Sequence, residues 1–139
     1  MNQKNPLTVT FFQVKLSQEK LSKICHTALD HFERKVPLVI KAPSSAVDFI
    51  DDLLWSHPKE SFLPHSKYEE DPTSLIVITD TDERPNKATA LFNLTSYPLL
   101  HDKVATIYEF EDNSSPEKLR FSKEKYQAYR QAGCHIITL

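Results

Sequence analysis

Short apolar runs alternate along this chain with longer segments of helical periodicity. Residues 8–14, TVTFFQV, are β-branched and aromatic and predict a strand. Apolar residues from Leu21 to Phe32 then recur every three or four positions, which predicts an amphipathic helix. PLVIKA at 37–42 is a short apolar run, typical of a buried parallel strand. The alternation predicts an α/β fold, with a mainly parallel sheet flanked by helices.

The rest of the chain extends this pattern without repeats or a linker. A second helix is predicted, with Ser44 or Ser45 as its N-cap and an end before Pro58. We expect one domain over residues 1–139. The remaining predicted elements are an irregular connection at 56–73, strands at 74–80, 90–95, 104–110 and 134–139, a short helical turn at 98–101, and a helix at 116–132.

The chain contains a single glycine, Gly133, just after the last predicted helix, where a positive φ is favourable for glycine. Loops that cradle phosphates need several glycines so that the backbone can approach the ligand. Neither GxGxxG nor GxxxxGKS can be written from this sequence. The missing glycines therefore argue against the commonest dinucleotide-binding and P-loop functions, and no cofactor is expected.

Cysteine usage and hydropathy indicate a cytosolic chain. Cys25 and Cys134 form no CxxC pair and are interpreted as two small buried hydrophobic residues. No run approaches the roughly 18 apolar residues of a membrane span. The N-terminus has no basic region followed by an apolar stretch, so no secretory signal is predicted.

Neither the histidines nor the acidic residues form a specific metal motif. The six histidines give no HExxH and no pairing with cysteine at zinc spacing. Asp80, Asp82 and Glu83 follow a predicted strand, where carboxylates can bind Mg²⁺. A Mg²⁺-dependent, nucleotide-handling α/β enzyme is therefore one alternative hypothesis, and a solvated turn is the simpler interpretation.

The stretch LLWSHPKESFLPH at 53–65 holds two large aromatic residues, Trp55 and Phe62, between prolines. Both can fold back onto the core. Both can also form a protein-docking patch, because Trp and Phe supply large contact areas and Trp is enriched at interface hot spots.

The last predicted helix is basic although the whole chain has a net charge of −2. A single basic helix on an acidic chain indicates a site for something small and acidic rather than a general DNA binder. Leu119, Lys123, Tyr126 and Arg130 share one face. One interpretation is that this face is simply solvated. The other is that it binds an anion attached to an apolar group, in which Lys and Arg would hold carboxylates and Tyr126 would form an apolar wall.

LLWSHPKESFLPH, followed much later by KEKYQAYRQAGCHIIT at 123–138, resembles the chi subunit of the bacterial DNA polymerase III clamp-loader complex. TFFQV, the helix carrying Cys25 and PLVIKA also fit, so the resemblance covers nearly the whole chain. It implies a Rossmann-like α/β fold without a nucleotide-binding loop, which agrees with the missing glycines. It also implies a non-enzymatic replication adaptor, located with the replisome in the cytoplasm. Such an adaptor bridges the clamp loader, through the small psi subunit, to the acidic C-terminal tail of single-stranded DNA-binding protein (SSB).

Residue by residue, the resemblance implies two partner surfaces. The SSB-tail site falls on Lys123, Tyr126, Arg130 and Thr138, with Lys118 or Arg120 as an earlier basic position. The psi-facing surface falls on Trp55, Phe62, Pro64 and His65, and a helicase-like partner can compete for it.

This sequence departs from the family pattern at Gln127, where the family can have a lysine that contacts the tail, so one cation is missing. The resemblance also implies that the chain reaches DNA only indirectly, through SSB. Direct binding of single-stranded DNA by the basic helix and Tyr126 is a further alternative.

Overall fold

The computed structural model of the protein describes residues 7–56 and 63–139. Within these residues, none of the helices is long and apolar enough to cross a bilayer. The elements in chain order are β1 (Thr8–Val14), α1 (Ser17–Arg34), β2 (Leu38–Lys41), α2 (Val47–Ser56), β3 (Ser66–Lys67), β4 (Ile76–Thr79), β5 (Ala90–Asn93), β6 (Thr106–Asp112), α3 (Pro116–Gln131) and β7 (His135–Thr138).

The seven strands form one sheet in the order β3-β4-β2-β5-β6-β1-β7. Every neighbouring pair is parallel. The α/β prediction is therefore confirmed, and the sheet is parallel throughout the described residues. β3 was not predicted, because its two residues, Ser66 and Lys67, carry no apolar signal and join the sheet through backbone pairing with β4.

The helices cover both faces of the sheet, as predicted. α1 and α2 pack on one face, where Cys25 and Leu54 join a core that includes Ile40 and Phe92. α3 packs on the other face, which we call the α3 face, where Tyr129 joins a smaller core with Phe11. Cys25 is fully buried, as expected, whereas Cys134 is only partly buried.

Two local predictions were wrong. A 3-10 turn (Ser44–Ala46) precedes α2, and neither Ser44 nor Ser45 caps the helix, because Ser44 donates instead to Asp80 at 2.8 Å. Residues 98–101 are not helical. There, the side chain of Asn93 donates to the Tyr97 carbonyl at 2.7 Å and the Tyr129 hydroxyl accepts from the Leu99 N–H at 2.9 Å. These tertiary hydrogen bonds replace the local bonds of a helical turn.

Candidate functional site

α3 begins at a serine N-cap that was not predicted and ends before the predicted glycine. Pro116 is in its first turn, and the Ser115 hydroxyl accepts from the Lys118 N–H at 3.2 Å. Gly133 follows the C-cap with a φ of 82°, as predicted. The local sequence therefore sets the length of α3, but its orientation on the sheet depends on side chains that face inward.

A buried charged network fixes α3 on the sheet. Glu109 of β6 is fully buried and accepts from Lys125 Nζ at 2.6 Å, from the Tyr129 hydroxyl at 2.6 Å and from Asn93 Nδ2 at 2.7 Å. Burial raises the pKa of the Glu109 carboxyl, and the Lys125 ammonium opposes that rise. Lys125 also donates to the Thr95 carbonyl at 3.1 Å. A charged network of this kind tolerates little rotation or sliding of the helix.

Sequence reasoning missed this network. It placed Glu109 inside an apolar strand and assigned Lys125 only to the basic character of the helix. The available signal was a carboxylate within the β-branched and aromatic run VATIYEF, followed by a helix that carries Ser122, Lys125 and Tyr129 at spacings of three and four residues.

Tyr126 and Thr138, far apart in the predicted elements, are both neighbours of the buried Phe11, one through its ring and the other through strand pairing. The Tyr126 ring is tilted on the Phe11 ring, with their centroids 5.8 Å apart. Phe11 of β1 is in register with Thr138 of β7. The Leu139 N–H donates to the Phe11 carbonyl at 2.8 Å, so the chain end is held against β1. Tyr126 remains 36% exposed and Thr138 is exposed.

Lys123 and Arg130 flank Tyr126 on α3, three residues before it and four after it, and both are exposed. We call Lys123, Tyr126, Arg130 and Thr138 the α3–β7 surface. In the described residues β7 pairs only with β1, so its outer edge is open. The surface thus combines two cations, a half-exposed aromatic ring and an edge strand, features that suit an acidic, extended peptide.

The two earlier basic candidates, Lys118 and Arg120, both have neighbours near the start of α3. Lys118 lines a groove between the three helices, together with Phe121. The guanidinium of Arg120 lies over the Phe121 ring, 5.2 Å from its centroid. The role of both residues in peptide binding stays a prediction.

Trp55, at the end of α2, forms a separate exposed patch. Its side chain is 48% exposed, and its ring centroid lies 4.2 Å from that of His65. His65 is buried and held by the Asp51 carboxylate at 3.0 Å and the Leu63 carbonyl at 2.7 Å. Pro64 is exposed beside it, and the fourth candidate, Phe62, lies outside the described residues. We call Trp55, Pro64 and the supporting His65 the Trp55 patch.

The acidic residues after β4 do not form the cluster that a Mg²⁺ site requires. Asp82 pairs with Lys41 at 2.7 Å, Asp80 accepts from Ser44, and Glu83 accepts from Tyr68. In residues 7–56 and 63–139, no group of three His, Cys, Asp or Glu side chains could hold a metal ion. The carboxylates serve three separate partners, which argues against the Mg²⁺-dependent enzyme.

Comparison with known proteins supports the resemblance in sequence. A search of curated proteins finds no match to the chain. The family model described as DNA polymerase III chi subunit, HolC, matches residues 7–137 of the 139 residues. The matched span includes β1, α3 and nearly all of β7. The chain therefore belongs to the family of DNA polymerase III chi subunits, accessory subunits of a replicative polymerase.

Proposed function

We propose that the chain is a non-catalytic adaptor that links the DNA polymerase III clamp-loader complex to SSB by binding the acidic C-terminal tail of SSB. The observation that carries the proposal is the position of Tyr126. Its ring is 36% exposed and lies on Phe11 of β1, the strand next to the edge strand β7, and two exposed cations of α3 flank it. Family membership supports the replication role and a location in the cytoplasm.

The chemistry of the α3–β7 surface suits a peptide of that kind. Lys123 and Arg130 can hold carboxylates, and the Tyr126 ring offers an apolar wall for the apolar residue that ends the tail. Thr138 adds a hydroxyl from the neighbouring strand. With Gln127 exposed where the family can have a lysine, we expect a dissociation constant on the order of micromolar that rises with salt.

The proposal is tested by calorimetric titration of the protein with an SSB-tail peptide and with the same peptide amidated at its C-terminus. The peptide with the free C-terminal carboxylate should bind more tightly than the amidated peptide, because amidation removes the charge nearest the apolar end. A low-salt titration with an oligonucleotide of single-stranded DNA tests the direct-binding alternative. Absence of peptide binding at low salt, or equal affinity for both peptides, would contradict the proposed mode of recognition.

A second part of the proposal concerns the clamp-loader side. We assign the psi subunit to the Trp55 patch together with Phe62, and the same surface can take a helicase-like partner in competition. Trp55 supports this assignment, since a half-exposed Trp that packs on the ring of a hydrogen-bonded His65 is a rigid anchor for an apolar partner.

A further inference from the structure

The α3 face of the sheet is only partly covered by a helix. α3 packs on β6 and β7. Over β2 and β5, two loops lie against the sheet instead, one after β4 and one after β5. They enclose a cleft of about 330 Å³ whose floor is Val39 and Leu91. Its walls are formed by residues 81–83 and 97–101. The volume falls within the range of small-molecule sites.

A buried lysine lines this cleft at the carboxyl end of a central strand. Lys41 ends β2 and is only 4% exposed. Its ammonium donates to Asp82 Oδ1 at 2.7 Å, while the Asp82 side chain itself is 87% exposed. A buried ammonium needs an anionic partner. Here that partner sits in solvent on a surface turn, and a competing anion can replace it without the sheet moving.

We propose that this cleft, which we call the Lys41 cleft, binds a singly charged organic carboxylate with an apolar body. The carboxylate would replace Asp82 on Lys41 Nζ, and the apolar body would lie between Leu91 and the loop residues Tyr97 and Leu99. Carboxyl ends of parallel strands are the usual place for ligands in open α/β sheets. Neither the replication role nor the α3–β7 surface requires this cleft, so the inference stands apart from the proposed function.

The charges around the cleft select for a single negative charge. Asp82 and Glu83 both line it, against one lysine. A ligand with several negative charges, such as a nucleoside triphosphate or a strongly acidic peptide, would be repelled by these carboxylates. The same monoanionic chemistry is found in a free organic acid and in the C-terminus of a peptide that ends in an apolar residue.

The test uses phenylacetate and its neutral isostere, phenylacetamide, in NMR titrations of the full chain. Phenylacetate should shift the amide signals of residues 81–83, Tyr97 and 99–101, with a dissociation constant on the order of millimolar, as small ligands usually have. Phenylacetamide should bind at least about tenfold more weakly, since its neutral amide carries no negative charge to pair with the buried ammonium. Equal binding of the two compounds would overturn the proposal.

Two substitutions separate a binding site from a purely structural ion pair. Lys41→Met keeps the length of the side chain and removes its charge, so it should abolish phenylacetate binding. Asp82→Asn removes the competing anion and should tighten binding by about threefold or more. Lys103→Met, at an exposed lysine two residues beyond the cleft wall in the loop after β5, is the matched control and should change nothing. An unchanged or weakened affinity in folded Asp82→Asn would overturn the proposal, even if Lys41→Met failed to fold.

A tripeptide, acetyl-Gly-Gly-Phe with a free C-terminus, identifies the source of the anion. Binding tighter than that of phenylacetate supports a peptide terminus as the ligand, and weaker binding supports a free organic acid. If neither compound shifts the cleft amides, the cleft is not an anion site.

Discussion

Tyr126 of α3 rests on Phe11 of β1, with the ring centroids 5.8 Å apart and the ring planes inclined by 53°. Phe11 is buried and is in register with Thr138 of β7. The contact therefore joins the basic helix to the last strand through a residue near the start of the chain. It keeps the Tyr126 ring partly exposed in a fixed place, which lowers the entropic cost of binding a peptide there.

The buried network beneath α3 should dominate the stability of the helix. Lys125→Met removes the cation that faces Glu109, leaving a buried carboxylate without its charged partner. We expect the free energy of unfolding to fall by about 3–5 kcal/mol. Urea denaturation followed by circular dichroism measures the change.

Lys123→Met is the matched control, because Lys123 is an exposed lysine of the same helix. It should change the free energy of unfolding by no more than about 0.5 kcal/mol. The double variant Glu109→Gln with Lys125→Met should recover part of the loss, since it removes the buried charge as well. Equal effects of the two lysine substitutions would show that the Glu109–Lys125 pair does not anchor α3.

Stability should fall on mild acidification because of His31. This buried histidine contacts the Val36 carbonyl at 3.0 Å and the Tyr108 hydroxyl at 2.8 Å, and burial lowers its pKa in the folded protein. Between that lowered pKa and the unfolded value of about 6.5, the unfolded chain binds more protons than the folded one. The stabilisation is complete above the pKa of His31 in the unfolded chain. It is lost as the pH falls through the pKa of His31 in the folded protein.

Urea midpoints measured between pH 7.5 and about pH 5 test this, in a range where most carboxylates remain ionised. His31→Gln should flatten the dependence of the urea midpoint on pH. His135→Gln, at an exposed histidine, should leave that dependence as in the wild type. A midpoint that stays constant over this range in the wild type would contradict the role given to His31.

The two partner surfaces should act independently. Trp55 is the only tryptophan in the chain, so its fluorescence reports directly on the Trp55 patch. Binding of psi should protect it from acrylamide quenching, and Trp55→Ala should weaken psi binding by about 2 kcal/mol or more while leaving the tail-peptide affinity unchanged. Phe49→Ala is the control, because Phe49 is an exposed aromatic residue of the same helix. If Phe49→Ala weakened psi binding and Trp55→Ala did not, the surface would lie elsewhere on α2.

Most of the fold could be predicted from the sequence, because apolar periodicity is a local property. The run 8–14 and the stripe of α1 already show which residues face the core. β3 could not be predicted, since two polar residues that pair only through their backbone leave no pattern. The helical turn expected at 98–101 was wrong because hydrogen bonds from Asn93 and Tyr129 override local preference there.

The candidate site shows where such reasoning stops. The spacing on α3 placed Lys123, Tyr126 and Arg130 on one face. It could not place Thr138 beside them, because that depends on the parallel register between β1 and β7, at opposite ends of the chain. Only the family resemblance suggested Thr138. Spacing also could not show that Lys125 is buried on Glu109 while Lys123 stays exposed.

The central claim is that the α3–β7 surface binds the SSB tail, and the affinity of a tail peptide for three single-residue variants tests it most directly. Lys123→Ala and Tyr126→Ala should each weaken binding by about 1–2 kcal/mol. Arg34→Ala, which removes one exposed positive charge from α1 on the opposite face, should leave the affinity unchanged. Wild-type affinity in both Lys123→Ala and Tyr126→Ala would contradict the account.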